Sequence, residues 1–336
     1  MQGTIKRLLG AALLAAGLAA GSAQANPYTG LFIFGDSLSD TGNLSILSGG
    51  AFPGGPPYAP GRFSDGPVWV EHLAAGLGLP GASNPSIMGG NNYAIAGART
   101  GIGGFPPGVG TQLGAWGMPP GGPPPGGLGA GYAAADPNAL YVLVAGGNDM
   151  RDARTFNPTL DAAGDAGRQA AAVTAINNLA GGLAFLASRG AQHVMIANLP
   201  DLGGSPEAGL LGLQAASSDA TDRFNALIPT LMGFGAGLGI DMRLLDLAGL
   251  LEDVVDDALN NGGAQFGITN VSAPCVPFPF HAGNACAESL FSDALHPSAR
   301  AHELIGAAAL RLAVPEPGTL VLVGAALLLV GMRRRA

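Results

Sequence analysis

The sequence has 336 residues, enough for one large domain or two small ones, and is 48% hydrophobic but only 11% charged. Apolar runs recur along its whole length, so it buries a core, while 56 glycines and 26 prolines call for long loops. The net charge of −8, which becomes −13 without the five terminal cations Lys6, Arg7, Arg333, Arg334 and Arg335, excludes the basic patch that a nucleic-acid backbone requires.

At the N-terminus, Lys6 and Arg7 precede an apolar run from Leu8 to about Ala20 and then Ala23-Gln24-Ala25. A positive region, a short apolar region and a small-x-small site in that order predict a secretory signal peptide over residues 1–25. The run is too short to span a ~30 Å hydrocarbon layer. Next, Leu31-Phe32-Ile33-Phe34 reads as a buried strand that stops at a loop, Gly35-Asp36-Ser37. Further strands are expected at Ala139–Ala145, His193–Leu199 and Ile240–Leu247. Helical spacing marks Val68–Leu77, Ala163–Ser188, Ser217–Leu238, Leu247–Leu259 and Ser298–Leu312.

Apolar runs alternating with helical segments indicate an α/β fold whose parallel sheet is covered on both faces. In such sheets the ligand crevice lies beyond the carboxyl ends of the strands. Gly101–Gly131 is so dense in Gly and Pro that no regular structure is expected there. It reads as a flexible surface insertion, with a mobile flap over the site as the sharper alternative. No repeat is visible, so one domain is expected over residues 26–313.

Two cysteines, Cys275 and Cys286, lie in the exported part. An even count in an oxidising compartment predicts one disulfide, with free thiols as the alternative. Neither has a Cys or His partner at ligand spacing, so no metal is expected. At the C-terminus, Pro315-Glu316-Pro317 leads into an apolar stretch from Leu320 to Val330 and then Arg333-Arg334-Arg335. An apolar helix ending in arginines holds that end at the cytoplasmic face. Its shortness favours a transient anchor, a simple membrane anchor being the alternative.

Acyl transfer needs a hydroxyl activated by a base, a base held in the right tautomer, and donors aimed at the developing oxyanion. Ser37 sits at a strand end. His296 lies in Asp293-Ala294-Leu295-His296-Pro297, where an Asp three residues before the His can fold back onto its Nδ1–H and leave Nε2 for a serine. Asp36 and Asp40 lack the spacing of a calcium loop and are expected to tie down the loop after the first strand. The remaining histidines, His72, His193, His281 and His302, have no acidic partner at useful spacing and read as surface or packing residues. Gly-x-Ser-x-Gly is absent from the sequence, which removes the ordinary α/β-hydrolase reading.

Five segments resemble, in order, those of the GDSL/SGNH hydrolase family, in its secreted bacterial lipase/esterase branch. They are IFGDSLSDTGN (33–43), GRFSDGPVWVEHLA (61–74), NYAIAGA (92–98), GGND (146–149) and SDALHPS (292–298), with Asp65 standing where the family usually has Asn. That resemblance implies a three-layer α/β/α sandwich on a flavodoxin-like parallel sheet. It implies Ser37 as nucleophile, His296 as base and Asp293 as its partner. The oxyanion would be held by the backbone N–H groups of Ser37 and Gly97 and by the Asn148 amide. Arg62 and Phe63 match the second segment but acquire no chemical role from it. The last 23 residues, 314–336, resemble the PEP-CTERM sorting signal of certain Gram-negative bacteria. This implies cleavage near Glu316 by an exosortase-type enzyme, with the export machinery as the other partner, and delivery to the cell surface or matrix.

The expected activity is therefore hydrolysis of carboxylic esters without a cofactor. The alternatives are acyl transfer from the same acyl-enzyme and a non-catalytic surface or matrix protein on the same fold. With 6% aromatic residues and Trp69 and Trp116 as the only tryptophans, simple acyl esters are favoured over polysaccharides.

Overall fold

A run such as Leu-Phe-Ile-Phe, with no polar side chain to face water, is stable as a strand only when both of its faces are covered. In the computed structural model, which describes residues 27–55, 57–119, 127–129, 131–276 and 285–314, four such runs pair side by side. They are β1 (Leu31–Gly35), β2 (Leu140–Val144), β3 (His193–Ala197) and β4 (Asp241–Leu245). Every residue of β1 and β2 is buried, whereas at the β4 edge only Leu245 is. All three ladders are parallel, in the order β1-β2-β3-β4, with Leu31 opposite Leu140, Leu140 opposite His193 and His193 opposite Asp241.

The outer side of β1 is covered as well. The Ile33 N–H donates to the Asn91 carbonyl at 3.0 Å, and the N–H groups of Tyr93 and Ile95 donate to the Ile33 and Gly35 carbonyls at 2.7 and 3.1 Å. Counting this extended segment, which runs parallel to β1, the order is the flavodoxin-like one.

Among the described residues ten helices accompany the sheet: α1 (Asn43–Leu47), α2 (Trp69–Gly76), α3 (Val109–Trp116), α4 (Gly147–Phe156), α5 (Ala162–Ser188), α6 (Pro206–Leu211), α7 (Gln214–Asn225), α8 (Ile228–Gly237), α9 (Leu247–Asn261) and α10 (Ala299–Ala313). On one sheet face Phe32, Phe34, Tyr141, Leu143 and Ile196 join a single core with Trp116, Leu179 and Phe224. On the other side α2 packs on α10, which also meets β4. The result is the three-layer α/β/α sandwich. Two further short strands, β5 (Asn270–Pro274) and β6 (Ser289–Phe291), form a separate parallel pair.

Helix α5 starts at Asp161, whose side chain accepts the N–H groups of Ala163 and Gly164. By length and composition it could cross a membrane, its most apolar 18-residue stretch having a mean hydropathy of 1.5. Yet Ala172, Ala175, Leu179, Leu183 and Leu186, at helical spacing, are buried in the core.

Two expectations are corrected. The helix expected over Ser217–Leu238 is two, α7 and α8, because Pro229 has no N–H to continue α7 and instead occupies the first turn of α8. Gly101–Gly131 is not uniformly irregular: α3 lies inside it and buries Val109, Gln112, Leu113 and Trp116. The prolines flank this octet and none interrupts it, so averaging over the whole stretch hides it. Gln112 pairs like an additional strand residue with the last residue of β1, accepting the Gly35 N–H at 2.9 Å and donating to the Gly35 carbonyl at 2.8 Å. The expected signal peptide, the C-terminal sorting segment, His281 and residues 120–126 lie outside the described residues.

Candidate active site

Ser37 follows β1 by two residues, beyond the carboxyl ends of the strands. Gly35 is required just before it, since a Cβ there would lie 2.5 Å from the Val144 carbonyl oxygen. The loop after β1 is fixed by polar side chains. The Asp40 carboxylate accepts the N–H groups of Gly42 (2.8 Å), Asn43 (2.7 Å), Leu44 (3.1 Å) and Ala96 (2.9 Å). Asn43 donates to the Asn92 and Ala94 carbonyls, and Asn92 donates back to the Ser39 carbonyl at 2.7 Å. These bonds tie the Ser37 loop to the segment carrying Gly97.

Gly97 has φ +81°, a conformation that side chains strain against, and a Cβ there would also press on Pro106 at 3.1 Å, so glycine is favoured. Its N–H and that of Ser37 have no protein acceptor among the described residues. Asn148, on the first turn of α4, donates one amide N–H to the Ala98 carbonyl at 3.0 Å and accepts from Arg151 at 3.2 Å. An amide nitrogen carries two hydrogens, which leaves the second one available.

The imidazole arrives from the opposite end of the chain. His296 Nε2 lies 2.9 Å from Ser37 Oγ, and His296 Nδ1 lies 2.7 Å from Asp293 Oδ2. Asp293 Oδ1 accepts the N–H groups of Leu295 and His296 at 2.8 and 2.7 Å. Burial raises the Asp293 carboxyl, but the adjacent imidazole and these N–H groups outweigh it and hold the group below its ordinary value. The Cys275–Cys286 disulfide braces the approach to this loop, with the Cys275 N–H on the Phe291 carbonyl at 3.0 Å.

Two cavities, of about 460 and 520 Å³, open on Ser37, Asn148 and His296. The first is walled by leucines of several elements, among them Leu199, Leu247, Leu251 and Leu290. Gly97, Tyr58 and Phe63 border the second. Among the described residues, Asp65 with Cys275 and Cys286 is the grouping close enough for a metal ion, but both sulfurs are committed to the disulfide.

Several contacts of the candidate site escape sequence reading. Tyr58 donates its hydroxyl to Asp293 Oδ2 at 2.7 Å, and the Phe63 ring packs 5.0 Å from the His296 ring. Phe63 thus packs on the His296 ring, and its place in a matched segment is the available signal; Tyr58 offers none. Arg62 pairs with Glu71, which also accepts the Val68 N–H at the start of α2. Asp65 accepts the Ala299 N–H at the start of α10, a task a carboxylate performs as well as the usual amide. The histidine expectation is corrected at His193, whose Nδ1 lies 3.1 Å from Asp241 Oδ2 across the β3–β4 ladder. His302 is a packing residue: burial drives it down to about 3, and Nδ1 accepts the Trp69 N–H.

Asp36, beside Ser37, is buried with one N–H donor to its side chain, that of Leu38, and burial pushes it up to about 6 from 3.8. A folded-state value above the unfolded one means that ionisation opposes folding, so the group's penalty grows as pH rises through that window. Asp36→Asn keeps an acceptor for Leu38 and removes the charge. Its stability advantage over the parent should grow from under ~1 kcal/mol at pH 4 to about 3 kcal/mol at pH 8, read by urea unfolding at both pH values.

Compared with known proteins, residues 31–309 match the family described as GDSL-like Lipase/Acylhydrolase, and residues 313–335 match the PEP-CTERM protein-sorting motif. The chain is 28% identical to the phosphatidylcholine-sterol acyltransferase of Aeromonas hydrophila, covering 81% of this chain and 74% of that protein. It is 28% identical to esterase EstA of Pseudomonas aeruginosa, covering 90% of this chain and 49% of the relative. An uncharacterized protein of the trpE-trpG intergenic region of Pseudomonas putida is 29% identical, over 84% of this chain and 48% of its own length. The chain thus spans about half the length of the two Pseudomonas relatives.

Proposed function

Because the chain belongs to the GDSL-like lipase/acylhydrolase family, we propose that it is an exported serine ester hydrolase in which Ser37, His296 and Asp293 act as nucleophile, base and orienting acid. The observation that carries this reading is the continuous hydrogen-bond chain from Ser37 Oγ through His296 to Asp293, at 2.9 and 2.7 Å. The Ser37 oxygen attacks the ester carbonyl carbon while its proton passes to His296 Nε2. The charge that develops on the carbonyl oxygen is met by the N–H groups of Ser37 and Gly97 and the spare N–H of Asn148. The tetrahedral intermediate collapses, the alkoxide leaves with the proton from His296, and the acyl group stays on Ser37. Water, deprotonated by the same imidazole, then releases the acid and restores the serine. No cofactor enters this cycle.

Export and sorting follow from the two ends of the chain. Residues 1–25 serve as the signal peptide, 26–313 as the hydrolase domain and 314–336 as a sorting segment that anchors the protein transiently in the inner membrane. An exosortase-type enzyme then cuts near Glu316 for delivery to the surface or matrix. A disulfide suits that oxidising route.

The test is release of nitrophenol from esters of graded acyl length by the purified protein. A burst of about one nitrophenol per enzyme, followed by a slower steady rate, is the expected signature of an acyl-enzyme. No release at any chain length would overturn the proposal. The likeness to an acyltransferase favours one second reading, in which an alcohol takes the place of water. Added glycerol would then divert the acyl group into a new ester.

A further inference from the structure

The Asn148 amide does not choose its own orientation. Its oxygen accepts from Arg151 at 3.2 Å, and its nitrogen donates to the Ala98 carbonyl at 3.0 Å. A guanidinium only donates and a carbonyl only accepts, so each neighbour rejects the flipped amide. Asn148 and Arg151 stand three residues apart on one side of α4, as this bond requires.

Arg151 is itself braced. It meets the Glu207 carboxylate with Nε, at 3.0 Å, and with a second nitrogen. The buried Arg154 holds the same carboxylate and donates to Ser217 Oγ at 2.8 Å. Burial raises the Glu207 carboxyl, but the two guanidiniums outweigh it and keep the group below its ordinary value, ionised for this task. The backbone N–H of Glu207 donates to the Ala294 carbonyl at 2.7 Å, inside the loop that carries Asp293 and His296. One glutamate therefore ties the amide's support to the base's loop.

We propose that Arg151, braced by Glu207, is a positioning residue that locks the Asn148 amide with its spare N–H toward the reacting carbonyl oxygen and keeps that donor in register with His296. This rests on the oxyanion role proposed for Asn148. Arg151 also borders both cavities, so direct contact with substrate is the competing role, and the experiment separates the two.

The steady-state kinetics of Arg151→Ala, Arg151→Lys, Asn148→Ala and Arg151→Ala/Asn148→Ala are measured on one nitrophenyl ester, with the inhibition constant of an alkylboronic acid. The boronate adduct on serine carries the tetrahedral oxyanion without turning over. Arg151→Ala should lower kcat about tenfold, the scale of one charge-assisted hydrogen bond, with KM within about twofold. The boronic acid should weaken by the same factor, and Arg151→Lys should recover part of both losses. In the Asn148→Ala background, Arg151→Ala should cost nothing further. Should Arg151→Ala fail to fold, Glu207→Gln, which keeps the arginine but loosens its brace, should show the same dependence on Asn148. A tenfold loss that persists without Asn148, or a change confined to KM, overturns the inference and leaves the hydrolase reading intact. A silent Asn148→Ala overturns the oxyanion role and this inference together.

Discussion

Ser37→Ala should lower kcat by on the order of 10⁶, and adding His296→Ala should lower it no further. The two groups share one hydrogen bond of 2.9 Å. An imidazole without the hydroxyl has no proton to take, and a hydroxyl without the imidazole stays a weak nucleophile at neutral pH. Removing either therefore removes the whole function, and what remains is the binding and oxyanion stabilisation that both variants keep. Measuring kcat of the two single variants and the double on one ester decides it. Separate, modest losses that multiply in the double variant would mean that the residues do not act as a unit.

Asn148→Ala should lower kcat by on the order of 10²–10³, with KM little changed. An oxyanion donor acts on charge that exists only in the transition state, so its loss leaves ground-state binding almost untouched. The fold should survive, since the change removes the bond to the Ala98 carbonyl and the acceptor of Arg151, together about 1–3 kcal/mol. Asn148→Asp sharpens the test. It has the same shape, but a carboxylate donates nothing and sets negative charge against the developing oxyanion. Thermal melting beside the kinetics distinguishes a lost donor from a lost fold. A fall in kcat matched by unfolding at the assay temperature would remove the argument.

Much of the framework was legible in the linear sequence. The runs that became β1, β2 and β3 carry almost no polar side chain at their buried positions, and that pattern needs no tertiary knowledge. Ser37 and His296, 259 residues apart, were singled out because each stands in a local pattern whose chemistry is incomplete alone. The rest depends on pairings that only the fold creates. Tyr58 meets Asp293 across 235 residues, Arg151 meets Glu207 across 56, and His193 meets Asp241 across 48. No periodicity announces such pairs. Helix α3 was hidden for another reason: the prolines lie in its flanks, and composition read over a long window cannot see where a short helix fits.

The extended segment beside β1 places the strand that delivers Ser37 inside the sheet, while β4 stands at its margin. Backbone groups at a margin can open to solvent after breaking one row of bonds, whereas β1 can do so only if two rows yield together. Fraying at the β4 margin therefore leaves both rows of β1 intact. That margin can open and close many times while β1 keeps Ser37 in place, whereas the margin on the other side leads into Gly97 and cannot open without disturbing the pocket that Gly97 borders.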